Sequence, residues 1–280
     1  SALADAASAL RSLTTFNAVT ATSSKSASVT ATAIGGTAAN SFSVTVDQLA
    51  KAQSYASAEI AKVNGQSAPV GAGSIKLQIG SWGAGPSYSF TGTPSKEVDI
   101  TVTATDTLAS IASKINGTDS GLSASVINTG SGERLMLRSK ATGEATGFNM
   151  VVTDNDGDNG DSSGLSRVLT NGSSTASITQ YGSDAKVSVN GSVQVSSSTN
   201  TFTDIVSGVT LTLQDGATVG DVSEIKVTQD TSAVQTAINT FVTAYNSLND
   251  LLAETTKYNA DTGEAGLLQG DSFAVGIQNA

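Results

Sequence analysis

TLASIASKINGTDSGLSASVINTGSGERLMLRSKATG, running from Thr107 to Gly143, is the stretch whose reading decides the fold. Leu108, Ile111 and Ile115 recur at three- and four-residue spacing and share one face of a short helix. Asp106 just before them suits a cap for the free N–H groups of the first turn. Asn116-Gly117 suits the helix end, since glycine accepts left-handed geometry there. Leu122, Ala124 and Val126 then alternate along one strand, Gly130-Ser131-Gly132 marks a turn, and Leu135 and Leu137 mark the returning strand. A helix laid on a hairpin is a packing unit, and none of its residues suggests a catalyst.

The rest of the composition extends that pattern. A chain of 280 residues has room for two or three domains. Its 38% hydrophobic content supports cores, while 28 glycines, three prolines, a single Trp and 5% aromatic residues indicate many short strands and tight turns. The net charge of −10 argues against nucleic acid and anionic membrane as partners, and its plain reading is solubility. With no Cys and no His, the chain lacks disulfides, thiolate metal sites, the commonest general base and the commonest zinc ligand. No apolar run approaches the roughly 18 residues of a membrane span. The N-terminus SALADAASALRSL lacks the layout of a cleavable signal and an initiator Met, so a fragment is expected.

Helical spacing appears at both ends. Leu3, Ala6, Leu10 and Leu13 form a seam in a helix expected from Ala2 to about Phe16. Val234, Ile238, Phe241, Tyr245, Leu248 and Leu252 form a second, with Ser232 and Gln235 as its capping box. Two such seams are most simply buried against each other as an antiparallel stalk.

Between them the period is two. Val29-Ala31-Ala33, Phe42-Val44-Val46, Ile75-Leu77-Ile79, Val98-Ile100-Val102 and Phe148-Met150-Val152 read as half-buried strands. Val187 and Val189, Asn190-Gly191, then Val193 and Val195 predict a hairpin with a two-residue turn. Val209-Leu211-Leu213 and Ile225-Val227 follow.

Two stretches invite a functional reading. Gly80 to Gly92, GSWGAGPSYSFTG, is read as a loop whose Trp82, Tyr88 and Phe90 either meet a partner or, as preferred, fold back to plug a core. In Asp154 to Gly164, DNDGDNGDSSG, Asp154, Asp156 and Asp158 match the first, third and fifth positions of a calcium loop. The sixth is Asn159 rather than Gly and the twelfth is Leu165 rather than Glu, so a solvated turn is preferred. There is no phosphate-cradling loop, nucleophile elbow or His-dependent triad, and the acidic turn offers no apolar pocket to raise a carboxyl pKa. No catalytic, cofactor-binding or metal-binding residue is assigned, no cofactor is expected, and the chain is read as structural rather than as an enzyme.

The central stretch resembles a repeat of bacterial flagellins and hook-associated proteins. Phe241 to Ser272, FVTAYNSLNDLLAETTKYNADTGEAGLLQGDS, resembles the C-terminal half of the flagellar filament-cap family, hook-associated protein 2. This resemblance implies a mostly β, α+β chain with two β-rich head domains, one inserted in the other, and a helical leg formed by the terminal helices. The divisions expected are 1–18 and 231–280 for the leg, 19–55 and 181–230 for an inner head, and 56–180 for an outer head holding the repeat 107–143. It further implies an extracellular homo-oligomer at the flagellar tip, exported without a cleaved signal, that adds flagellin subunits in order and prevents their loss. Flagellin and other axial proteins are its implied partners, with no nucleic acid and no membrane insertion. Terminal segments through which the family engages the filament are missing from the sequence. Two alternatives stay open: an adhesin binding host mucin or glycans through Trp82, Tyr88 and Phe90, and another axial protein, either a flagellin or a hook–filament junction protein.

Overall fold

The computed structural model describes residues 1–83, 88–169, 174–259, 261, 263–272, 274 and 276. It is a mostly β, α+β fold, in which two separate hydrophobic cores are carried by antiparallel sheets and a helical pair occupies the chain ends.

One core draws on both halves of the sequence. A five-stranded sheet runs in the order Val19–Ser23, Val222–Gln229, Asn40–Gln48, Ala185–Val189, Val193–Ser197. A three-stranded sheet of Thr201–Val206, Val209–Leu213 and Val29–Ala33 shares its core. Phe42, Val44 and Val46 point inward beside Val187, Leu211 and Ile225, as strict alternation of β-branched and polar residues requires. The hairpin at Asn190 forms, but its register pairs Val189 with Val193 and leaves a three-residue loop, not two. Asn190 and Gly191 both take positive φ there, and the Ser192 N–H donates to the Val189 carbonyl.

The second core is built between Tyr55 and Leu169. Its sheets are Gly147–Asp154, Gly73–Trp82 and Phe90–Val102, and then Ile178–Gln180, Ser54–Ala56, Gly132–Ser139 and Ile60–Ala61, with Leu122–Asn128 pairing Gly132–Ser139. The helix Leu108–Asn116 lies on this hairpin and buries Leu108, Ile111, Ala112 and Ile115. Full burial of one such side chain stabilises by about 1.5–3 kcal/mol.

Both ends of this helix differ from the sequence reading. Its cap is Thr107, not Asp106: the Thr107 hydroxyl accepts from the Ser110 amide, and Ser110 Oγ accepts from the Thr107 amide. Asp106 is occupied elsewhere, accepting from the Thr103 N–H at 2.7 Å and from Lys114. Gly117 closes the helix with a right-handed φ of −75°, so left-handed freedom is not what ends it. Asn116 turns its amide onto Ala124 instead, donating to the carbonyl and accepting from the N–H, both at 2.8 Å. That pair ties the helix end to the strand it covers.

The loop expected from Gly80 to Gly92 is strand at both ends, since Ser81 pairs with Thr91 and Trp82 with Phe90; its middle, 84–87, lies outside the described residues. The first helix is also shorter than expected. It spans Ala2–Ala9, and Leu13–Phe16 forms a separate turn, because the Arg11 and Ser12 amides tighten onto Ser8 and Ala9 and Thr15 Oγ1 donates to the Ala9 carbonyl.

Candidate interaction surfaces

The long helix Thr231–Thr256 starts at Asp230, whose carboxylate accepts from the Ser232 amide at 2.9 Å. The box of Ser232 and Gln235 therefore does not form; Ser232 is the donor, and its hydroxyl, then its amide, holds the Asp230 carboxyl below the usual carboxylate range. The helix is antiparallel to the N-terminal one. Gln229 Nε2 donates to the Phe16 carbonyl at the base, while Ser1 to Ala7 lie beside Phe241, Leu248 and Leu251. Ala237 is buried, and Val234, Phe241, Ala244, Leu248 and Leu252 are half-buried. Ile238 and Tyr245, placed in the seam by the sequence reading, are 47% and 50% exposed. The contact face instead follows the small residues Ala237 and Ala244, which let the Ala-rich first helix approach closely. Leu3, Ala6 and Leu10 face inward as expected; the Leu13 side chain lies outside the described residues.

Beyond the helix, Tyr258–Asn259 pairs with Glu264–Ala265. The Leu268 amide donates back to the Thr255 carbonyl, and Gly266 sits so close to that oxygen that a Cβ would meet it at 2.1 Å. Among the described residues, seven of the sixteen exposed large hydrophobic side chains fall between Ile238 and Leu268, with Leu267 at 96% exposure. Six of the seven lie in the stretch Phe241 to Ser272 singled out by sequence, and Ile238 lies just before it.

A second region lies where the chain passes between the cores. Lys51 and Ser183 pair there, the amide of each donating to the carbonyl of the other at 2.9 and 3.0 Å. A cleft of about 630 Å³ opens beside them, lined by Lys51, Trp82, Tyr88, Tyr181, Lys186 and Val219 among others. Trp82 is buried; its Nε1 donates to Gln53 Oε1 at 3.0 Å and to the Phe148 carbonyl at 3.2 Å. The fully buried Gln53 also donates to that carbonyl and accepts from the Phe148 N–H, so it acts as a short strand for the edge of Gly147–Asp154. Phe90 meets Trp82 edge-on at 5.2 Å, and Tyr181 does so from another side at 5.7 Å. Tyr88 is exposed but stacks on Tyr181 at 3.8 Å, and burial, then the Tyr88 hydroxyl, pushes the Tyr181 pKa up. The plug reading therefore describes Trp82 and Phe90, while Tyr88 is the surface member. Gln53 and Tyr181 were not found by sequence reasoning; a lone Gln and a lone Tyr in polar surroundings carry no periodic signal.

The acidic turn is ordered by its own backbone. Asp154 is buried and accepts from the Ser166 and Asp156 amides at 2.8 and 3.3 Å. Asn159 accepts from the Asp154 amide, and Asp158 from the Gly160 amide. The structure brings the carboxylates of Asp154, Asp156 and Asp161 within 4.8 Å of one another; Asp158, expected third in a calcium loop, is not in that group. Gly164, at φ +51°, is required here, since a Cβ would come within 2.4 Å of Asp154 Oδ2.

Comparison with known proteins agrees across the chain. Residues 1–53 match the flagellar hook-associated protein 2 N-terminus, 89–141 the flagellin hook IN motif, and 182–280 the flagellar hook-associated protein 2 C-terminus. The B-type flagellar hook-associated protein 2 of Pseudomonas aeruginosa is 28% identical, over 100% of this chain and 58% of its own length. Flagellar hook-associated protein 2 of Escherichia coli K12 is 32% identical, over 94% of this chain and 54% of its own. The chain thus spans a little over half the length of these two relatives. The crystal structure of the D1-D2-D3 domains of the flagellar cap protein FliD from Escherichia coli superposes with a TM-score of 0.64 at 30% identity, covering 99% of this chain and 72% of that one. Terminal segments, central repeat and fold agree, and the chain belongs to the flagellar hook-associated protein 2 family.

Proposed function

We propose that this chain is the head and upper leg of a cap at the distal end of the flagellar filament. It oligomerises there, directs incoming flagellin into the growing end and prevents its loss. The observation that carries this reading is the apolar surface between Ile238 and Leu268, in a leg whose own helical partner covers one face only. Such a surface suits contact with neighbouring subunits, and the polar remainder of the molecule suits contacts that form and break as each subunit is added. A division into a leg (1–18, 231–280), an inner head and an outer head is supported by the two separate cores; the paired crossing at Lys51 and Ser183, with Tyr55 in the second core, moves the expected bounds of 19–55, 181–230 and 56–180 so that 52–182 forms the outer head. The role is structural, outside the cell and without catalysis; the acidic turn, whose carboxylates accept from backbone amides, serves as a fold element with no metal. A glycan-binding role has little support, since with Trp82 buried and Phe90 half-buried, Tyr88 is the one exposed ring of the three candidates.

The test is complementation of a strain lacking its own filament cap with the full-length gene, parent and Ile238→Ser/Tyr245→Ser. The parent is expected to restore attached filaments with little free flagellin, and the double variant to fold normally yet leak flagellin. Leakage by the exported, folded parent would refute the cap; full function of the double variant would move the contact off this helix face.

A further inference from the structure

The sequence contains five Asn-Gly pairs, at Asn64, Asn116, Asn159, Asn171 and Asn190. In such a pair the glycine nitrogen meets no side-chain shielding as it approaches the asparagine carboxamide, so the pair is open to spontaneous deamidation. Two features of a fold oppose this: a hydrogen bond that holds the carboxamide, and one that holds the glycine N–H. The four described pairs differ sharply in both.

Asn116 is held at both ends of its amide by Ala124, and the Gly117 N–H donates to the Ser113 carbonyl at 3.0 Å. Asn159 Oδ1 accepts from the Asp154 N–H at 2.7 Å, and the Gly160 N–H donates to Asp158 at 2.9 Å. Asn190 Oδ1 accepts from the Ser43 N–H at 3.0 Å, which fixes its carboxamide across the sheet. Asn64 and Gly65 are both exposed, and neither the Asn64 side chain nor the Gly65 N–H makes a hydrogen bond among the described residues. They sit at the tip of a turn closed by two bonds, between Val63 and Gln66 at 3.0 Å each way. No atom beyond the adjoining residues lies within 4 Å of the place a Gly65 Cβ would occupy. A turn held by so few bonds at an exposed tip opens readily, and opening frees Asn64 to adopt the attacking geometry.

We propose that Asn64-Gly65 is a self-modification site of the folded protein, the one among the four described pairs at which the fold permits deamidation. The deprotonated Gly65 nitrogen bonds to Cγ of Asn64, the bond from Cγ to the side-chain nitrogen breaks, and ammonia leaves. Water then opens the cyclic imide to aspartate or isoaspartate. The product adds one negative charge at the turn, and the isoaspartate form lengthens the backbone inside a loop that has room for two residues. Asn171-Gly172 lies outside the described residues.

The experiment incubates the intact chain in mildly alkaline buffer, native and in denaturant, and follows each site by peptide mapping with mass spectrometry. Native chain is expected to convert at Asn64 about tenfold faster than at Asn116, Asn159 or Asn190, since at those sites one or more hydrogen bonds must break first. In denaturant the four rates should converge. On native isoelectric focusing, Asn64→Gln should remove the acidic species that peptide mapping assigns to Asn64, and Asn64→Asp should start at its position. Comparable native rates at the four sites would overturn the proposal, as would an intact Asn64 after the denatured chain has converted.

Discussion

Asp106 sits against Lys114 and the Thr103 amide, and its carboxyl is held below the ordinary aspartate range, by the Lys114 hydrogen bond first and by the Thr103 amide next. A carboxyl whose value falls on folding favours the folded state when ionised. Its contribution is fully present above the unfolded value, about pH 4, and is lost as pH falls through the lower folded value. Asp106→Asn keeps an acceptor for Thr103 but removes the charge facing Lys114. At neutral pH it should cost about 1 kcal/mol, the upper end for a partly exposed ion pair. Urea unfolding at neutral and at acid pH measures this. The gap between variant and parent should close as acid titrates the parent carboxyl, and a gap independent of pH would assign the effect to packing. Asp106 and the cap Thr107 are adjacent and both belong to capping residue types, so spacing alone could not separate their roles. The same limit holds for the acidic turn, where Asp161 rather than Asp158 joins Asp154 and Asp156: the turn folds back, and a fixed-position template does not follow it.

The long helix Thr231–Thr256 shows what an apolar pattern does and does not specify. Phe241 lies against the first helix, whereas Tyr245, one turn on, faces solvent. Phe241→Ala is therefore expected to cost about 2 kcal/mol, reduced from a full core truncation because the ring is only half-buried. Tyr245→Ala should stay within about 0.5 kcal/mol. Thermal and urea melts of the two variants decide the matter, and comparable losses in both would place the seam where the heptad spacing put it. The helix itself was legible because its period extends over many turns. Its contact face was not, because Ala237 and Ala244 carry little hydrophobic weight in a pattern yet set how closely two helices approach. Among strands, those with β-branched residues alternating against Ser and Thr were legible, such as Phe42-Val44-Val46 and Val209-Leu211-Leu213. Ser54–Ala56, Ile60–Ala61 and Ile178–Gln180 escaped notice, since two or three residues make no period and their strand state comes from the partners they pair with. The aromatic junction was legible only in part. Trp82 and Phe90 announce themselves by size, but Gln53 and Tyr181 meet them through a long-range crossing.

At the scale of the molecule, the two cores share no buried residue, and the chain passes between them beside the Lys51–Ser183 pair. Paired antiparallel residues lie about 5 Å apart, a gap that a tight turn spans. Each side of that crossing should therefore fold without the other, as a domain with its own core does. Joining Lys51 to Ser183 through a two-residue Asn-Gly turn, with 52–182 removed, should leave the five-stranded sheet intact and melting cooperatively. The excised piece, 52–182, retains Gln53, Phe90, Tyr181 and the single Trp of the chain, so Trp82 emission reports directly on whether the junction has assembled. It should give the blue-shifted, quencher-resistant emission of a buried indole, and Tyr181→Ala in the same piece should shift that emission to the red. The loop around Gly143 adds a second contact in the whole chain, where the Glu144 amide donates to Asp184 at 2.8 Å and Thr142 Oγ1 to the Ser198 carbonyl at 2.7 Å. Both bonds are exposed and few, so their loss should lower the melting temperature of each piece by a few degrees without unfolding it. If instead the shortened chain aggregates or the excised piece shows solvent-exposed Trp82, the cores depend on each other. The head would then be one cooperative unit, and the crossing a structural brace in place of a joint between separable domains.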